Sequence, residues 1–299
     1  MQTPPYLTSG DKIGIVSTAS KIDKTIVDRA VTLLKSIGYL VEIGMYAFAR
    51  SNQFAGTDDQ RASDLQNMID NPEIKAVICS RGGYGTLRTL KNVSWEKFKT
   101  SPKWIVGFSD ITVLHSLLNQ MGICSIHGVM PRYFLDADKP TKSFSTLIDG
   151  LTGKPLHYIA EPSKYNRFGK SEGTLVGGNL SILYSLRGTS YDIDTRGKVL
   201  FIEDLSEYLY HLDRMMMNLK AGGKLAQLAG LIVGSFTGMQ DNDTPYGQSA
   251  EEIIRSAVEE YDYPVLFHFP AGHQANNFAL KLGAWVHLEI TSKGAVINQ

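Results

Sequence analysis

Between Lys103 and Leu118 the apolar period of the chain changes within a few residues, and that change constrains the fold more than any other stretch. Trp104 to Phe108 is a short apolar run of strand type. From Asp110 to Leu118 the positions Ile111, Leu114, Leu117 and Leu118 fall on one face of a helix. A strand that turns this sharply into a helix leaves the seam residue exposed at the carboxyl end of a sheet. It also leaves the next backbone N–H without an intrahelical acceptor. The seam residue is Ser109 and the next N–H is that of Asp110. A hydroxyl beside a free N–H at the positive end of a helix is half of an acyl-transfer site. A serine there is also a good helix cap, and the G-x-S-x-G elbow is only half matched, with Ile111 at the second glycine.

The same alternation repeats along the chain. Strands at Ile13–Ser17, Tyr39–Ile43 and Ala76–Ser80 are interleaved with helices near Asp23–Ile37 and Thr57–Ile69, and Gly38 stops the first helix. This pattern predicts an α/β fold with a mostly parallel, helix-covered sheet that binds ligands at the strand carboxyl ends. From Asp136 to about Lys170 the periodicity dissolves into Asp, Lys, Pro, Ser and Gly. The expected division is therefore a domain over 1–140, a linker over 141–170 and a smaller α/β domain over 171–299. In the last part, a strand ends at Glu203 and a helix is expected from about Ser206 to Lys220. Asp204-Leu-Ser-Glu207 reads as that helix's capping box. Further strands are expected at Ala229–Ser235, Val265–Phe269 and Ala284–Ile290, and a helix near Ser249–Tyr261.

Several functional classes are disfavoured by composition. Lys plus Arg equals Asp plus Glu at 30 each, so no net charge recruits nucleic acid or an anionic membrane. The two cysteines, Cys79 and Cys124, sit in unrelated contexts, with neither a zinc-ligand spacing nor a disulfide framework. Without a basic n-region or an apolar run of about 20 residues, the chain reads as soluble and cytoplasmic.

A second Gly-rich seam follows the third strand: Arg81-Gly-Gly-Tyr-Gly85. It lacks the GxGxxG spacing and the P-loop Lys-Ser/Thr, so a tight turn or a second oxyanion donor fits it better than a phosphate cradle. A serine nucleophile needs a base, and the base needs a third group to orient it. Of seven histidines, His268 and His287 fall inside expected strands, His115 lies off the face of the Ser109 helix, His157 in the expected linker and His211 mid-helix. His127 and His273 remain, each at a strand end beside a glycine, and the residues alone do not choose between them. Glu203 directly follows an apolar strand, where an acid is costly unless paired.

With these pieces together the sequence resembles the LD-carboxypeptidase family of serine peptidases, which also contains the microcin immunity peptidases. The resemblance rests on Ala55-Gly-Thr-Asp-Asp-Gln-Arg61, Ser80-Arg-Gly-Gly-Tyr-Gly85, Gly107-Phe-Ser-Asp110, His127-Gly128, Gly177-Gly-Asn179, Phe201-Ile-Glu-Asp204 and Gly272-His273. It implies Ser109 as nucleophile, Glu203 as acid and His273 as base, with oxyanion donors from the backbone of Asp110, Gly82 and Gly83. Arg81, Tyr84 and Asn179 are the implied substrate contacts. The implied fold is a flavodoxin-like N-terminal domain with helices on both faces, plus the smaller C-terminal domain, with the active site between them. The implied activity is release of D-alanine from murein tetrapeptides in cell-wall recycling by a homodimer that needs no metal or organic cofactor. Two other functions stay open at this point: a microcin-immunity-type peptidase or amidase on the same triad, and a non-catalytic ligand-binding module using Arg81–Gly85. Ser17-Thr-Ala-Ser20 departs from the Pro-containing loop expected after the first strand.

Overall fold

The computed structural model describes all residues from Met1 to Gln299. They form two compact units, Met1–Lys154 with Phe278–Lys281, and Pro155–Asn277 with Leu282–Gln299.

In the first unit the strands β1 (Lys12–Val16), β2 (Leu40–Ile43), β3 (Ile74–Cys79), β4 (Trp104–Gly107) and β5 (Ser125–His127) lie in the order β2-β1-β3-β4-β5. All four contacts are parallel, and a late strand, β13 (Leu280–Leu282), adds to the β5 edge. This is the flavodoxin-like order, whose switch point lies between β1 and β3. The inner strands are apolar on both faces, as helix-covered parallel strands must be: Ile13, Ile15, Val77, Ile78, Ile105 and Val106 are completely buried. Around them run α1 (Lys24–Ser36), α2 (Asp58–Asp70), the short α3 (Thr86–Leu90) and α4 (Glu96–Thr100), and α5 (Thr112–Gln120). The helix α2 starts with a full capping box between Thr57 and Gln60.

The stretch read as a linker is structured. After the small hairpin β6 (Leu135–Asp136) and β7 (Lys139–Pro140) comes α6 (Lys142–Leu151), capped by Thr141 and burying Phe144, Leu147 and Leu151. Its apolar positions fall at helical spacing, but Ser, Thr and Gly between them masked the period. The units part at Lys154, not across a 30-residue linker.

In the second unit β8 (His157–Ala160), β9 (Gly169–Asn179), β10 (Val199–Leu205), β11 (Gly230–Thr237), β12 (Val265–Leu266), β14 (Trp285–Thr291) and β15 (Gly294–Asn298) form one sheet, ordered β12-β11-β10-β9-β14-β15-β8. The long β9 joins two patterns: Leu175–Asn179 pair parallel to β10, and Gly169–Thr174 antiparallel to β14. The helices α7 (Leu180–Ser185), α8 (Leu209–Ala221) and α9 (Ala250–Ala257) supply a core of Leu180, Leu183, Leu212, Met215, Met216, Ile253 and Ile254. The methionines on α8 are thus packing residues. The expected capping box at Asp204–Glu207 does not form. The N-cap of α8 is Tyr208, without a side-chain bond, because β10 continues to Leu205 and keeps Asp204 inside the sheet.

One buried cation holds the loops of the first unit. Arg61 on α2 is 1% exposed and donates to the carbonyls of Thr18 (3.1 Å) and Gly56 (2.7 Å) and to Asp58 Oδ1 (2.5 Å). Its guanidinium also lies 4.9 Å from the centre of the Phe54 ring. Replacing it with an apolar residue leaves the Gly56 carbonyl unpaired and the Thr18 carbonyl with only the Thr89 hydroxyl (3.3 Å). Arg61→Met should therefore destabilise the protein by about 2–4 kcal/mol, read as a lower denaturation midpoint; an unchanged midpoint would show that these loops hold without it.

Candidate active site

The residues singled out from sequence gather into two clusters, one in each unit. In the first, β4 ends at Gly107, where a side chain would drive a Cβ to 2.8 Å from Ile111. Phe108 is extended and Ser109 then adopts φ +65°, the left-handed region that costs a non-glycine residue about 1–2 kcal/mol. A 3-10 turn over Ser109–Ile111 leads into α5. The Asp110 N–H lies in this first turn, where no preceding helical carbonyl can accept it.

The Gly-rich loop after β3 closes on this turn. A Cβ on Gly82 would stand 2.8 Å from Ser109 Cβ, 3.0 Å from Ser109 Oγ and 3.3 Å from Asp110 N. Only glycine lets the two loops approach this closely. Gly83, at φ +109°, is pressed against Ser20, and the Gly82 carbonyl accepts the Ser20 N–H at 3.3 Å. The loop carrying Thr18, Ala19 and Ser20 thus forms the floor of the Gly-rich loop without a proline. The Asp110 carboxylate, 2% exposed, accepts the Thr86 N–H at 2.8 Å and so ties α3 to the serine turn. Burial raises the Asp110 pKa, partly offset by hydrogen bonds from Thr86 and Gly85.

Behind the turn lies His115, fully buried and pushed down to about 4 by burial, so it is neutral at working pH. A carbonyl only accepts, so Nε2–H donates to the Gly107 carbonyl (2.9 Å), and Nδ1 accepts from Ser125 Oγ (2.8 Å). Its role is to fix the end of β4. His127 is completely buried in β5, with its ring 5.8 Å from that of Phe108.

The second cluster sits at the end of β10. Glu203 is 0% exposed, and its Oε2 accepts from His273 Nδ1 at 2.7 Å. This bond fixes the neutral tautomer in which Nδ1 carries the proton and Nε2 the lone pair. The loop over 270–277 is pinned so that it holds His273 there. Gly272 N–H donates to Asn277 Oδ1 (2.8 Å), Ser235 N–H to the Ala271 carbonyl (2.9 Å), and Thr237 Oγ1 to the His273 carbonyl (2.8 Å). Gly272, at φ +109°, is required because a Cβ would stand 2.7 Å from Glu203 Oε2. Burial lowers the His273 pKa, but the hydrogen bond and charge of Glu203, with the charge of Asp204, outweigh it and raise the value.

Asp204 is raised to about 7 by burial and by the Glu203 charge. It accepts from Asn179 Nδ2 (2.9 Å) and from the N–H groups of Ser181 (2.8 Å) and Leu205 (2.9 Å). Asn179 also caps α7 through Oδ1, so its side chain is occupied in joining β9, β10 and α7. Arg81 donates to the Lys21 carbonyl (3.0 Å), and Tyr84 is 52% exposed beside the Phe54 ring. Two histidines expected inside strands stand outside the core. His268 follows the end of β12 and pairs with Glu251 (3.0 Å), and His287 faces outward on β14 and pairs with Glu172 (2.9 Å).

The chain matches the LD-carboxypeptidase N-terminal domain over residues 13–128 and the LD-carboxypeptidase C-terminal domain over 172–288. It is 36% identical to a "Probable murein peptide carboxypeptidase" of Bacillus subtilis (strain 168), covering 99% of this chain and 94% of the relative. The chain belongs to the LD-carboxypeptidase family. Among solved structures it is similar to the muramoyltetrapeptide carboxypeptidase from Oxalobacter formigenes, with TM-score 0.88 and 30% identity over 96% of this chain and 98% of that one. The microcin C7 self immunity protein MccF shares the fold, with TM-score 0.86 at 22% identity, covering 99% and 98% of the two chains. Both clusters fall within the matched family domains.

The close approach of the Gly-rich loop to Ser109 gives a test. Gly82→Ala should lower peptidase turnover by about 10²-fold or more, the scale of losing one oxyanion donor, and should lower the melting temperature as its Cβ displaces the Ser109 turn. Wild-type turnover in a folded Ala variant would mean that this loop takes no part in the chemistry.

Proposed function

We propose that this member of the family is a serine carboxypeptidase that removes the terminal D-alanine from murein tetrapeptides, with Ser109, Glu203 and His273 as its triad. The observation that carries the reading is the Glu203–His273 bond of 2.7 Å, which prepares a base, in a chain whose other unit holds Ser109 in a strained turn against Gly82. Ser109 Oγ attacks the scissile carbonyl carbon while His273 Nε2 takes its proton. The N–H groups of Asp110 and of the Gly82–Gly83 turn receive the developing oxyanion. His273 then protonates the leaving D-alanine amine as the C–N bond breaks, giving an acyl-serine. Deprotonated by the same imidazole, a water attacks the ester and frees Ser109 and the tripeptide. Glu203 holds the tautomer and stabilises the imidazolium. Arg81 and Tyr84, beside this loop, are the proposed contacts to the rest of the peptide.

The base must be neutral to accept a proton, and Glu203 raises its pKa. The kcat/KM of the wild type should therefore rise with pH along an acid limb centred above the ordinary histidine value of about 6.5. Glu203→Gln removes the raising charge and leaves the lowering effect of burial. Its limb should move to lower pH while kcat falls by about 10³–10⁴-fold. A limb that stays in place in the Gln variant would separate Glu203 from the base.

The substrate is tested by following products from a murein tetrapeptide, its C-terminal amide, a pentapeptide and a processed microcin analogue by mass spectrometry, with Ser109→Ala as control. The tetrapeptide alone should be cleaved, to tripeptide and D-alanine, and Ser109→Ala should lose about 10⁴–10⁶-fold in turnover. Cleavage of the microcin analogue alone would favour the immunity-type reading.

A further inference from the structure

The buried glutamate has one oxygen accounted for and one left over. Glu203 Oε2 holds His273, but Oε1, in a side chain with no exposure, has no hydrogen-bond partner. An ionised carboxylate in such a place normally fills both oxygens. A second buried group nearby has the complementary shortage: Ser235 is 7% exposed and its Oγ also has no partner. The two side chains meet at one point, since a Cβ built on Gly272 would lie 2.6 Å from Ser235 Oγ and 2.7 Å from Glu203 Oε2.

The backbone explains why the serine is there. Between β10 and β11 the parallel register runs Ile202↔Val233 and then Asp204↔Phe236, so Gly234 and Ser235 together stand opposite Glu203. This is a β-bulge, a device that re-aims a side chain at the cost of regular pairing. Gly234 leaves room, because a Cβ there would meet the Ala271 carbonyl at 2.5 Å and Glu203 Cβ at 3.2 Å. Ser235 Oγ stands, like Glu203 Oε2, beside Gly272, and its own N–H donates to the Ala271 carbonyl, two residues before His273.

We propose that Ser235 is a positioning residue for the Glu203–His273 pair: its hydroxyl donates through one bridging water to the second carboxylate oxygen and fixes the carboxylate under the imidazole. The inference rests on the triad reading above for its catalytic consequence, but not for the bond itself. The donated proton lies near the imidazolium and withdraws charge from the carboxylate, so it lowers the basicity of His273. The charged groups acting on that imidazole are Glu203 and Asp204, both on β10.

The test uses the full-length protein with labelled histidine. The His273 titration is followed by NMR in wild type, Ser235→Ala and Ser235→Thr, beside kcat and the melting temperature. In Ser235→Ala the His273 midpoint should rise by roughly half a pH unit, and kcat should fall several-fold as the carboxylate loses its fixed orientation. Ser235→Thr keeps the hydroxyl and should restore the wild-type midpoint. Loss of an unbonded serine would leave the midpoint unmoved and the stability equal or higher. An unmoved midpoint in the Ala variant, or a Thr variant that behaves like Ala, overturns the proposal. Failure of the triad reading would appear separately, as turnover surviving in Ser109→Ala, with the His273 midpoint still answering to Ser235.

Discussion

The first unit depends on how closely two βα loops approach at the carboxyl ends of β3 and β4. With only 2.8 Å between the position of a Gly82 Cβ and that of Ser109, neither loop can move without the other. The constraint is met from three sides. His115 and the Gly128 N–H both hold the Gly107 carbonyl, Asp110 holds the start of α3, and Ser20 supports Gly83 from below. Arg61 in turn fixes the carbonyl of Thr18, which anchors the loop bearing Ser20. The strained backbone of Ser109 is thus over-determined by its surroundings, the condition under which strain persists at functional sites.

The second unit solves a different problem, a charge kept out of water. Glu203 and Asp204 are neighbours on β10, both buried, and they point into different surroundings. Asp204 is wrapped by three donors and joins strands to α7, whereas Glu203 is given a histidine. Alternation along a strand separates the two acids. It leaves Asp204 as scaffold and Glu203 as the group that sets the basicity of His273. The cost of burying both charges appears in the rise of Asp204 to about 7.

Periodicity made most of the first unit legible. The strands β1 to β4, the helices α1 and α2, and the strand-to-helix seam at Ser109 all follow from where apolar residues fall and where glycine, proline or a capping threonine stops them. Where polar residues interrupted the pattern it failed. The helix α6 was hidden in what looked like linker composition, and the strand-like run after Val265 is only two residues long before the chain turns. The Asp204–Glu207 capping signal had the right residues in the wrong place, because a side-chain cap competes with sheet pairing and a buried strand wins.

The sequence by itself determined the α/β class and the serine at the seam, and the family motifs pointed to Glu203 and His273. Spacing and composition alone could not choose between His127 and His273, since both are histidines beside a glycine at a strand end. The tertiary structure adds a contact that spacing could not show: His273 is bonded to an acid 70 residues earlier in the chain. Structure alone also decided why the glycines of the Arg81–Gly85 loop and Gly272 stand where they do. Each answers to an atom distant in sequence, such as Ser109, Ser20 or Glu203. The bulge that places Gly234 and Ser235 together opposite Glu203 belongs to the same class. Local periodicity records which face of an element is apolar, but a register shift between two strands exists only once both are paired.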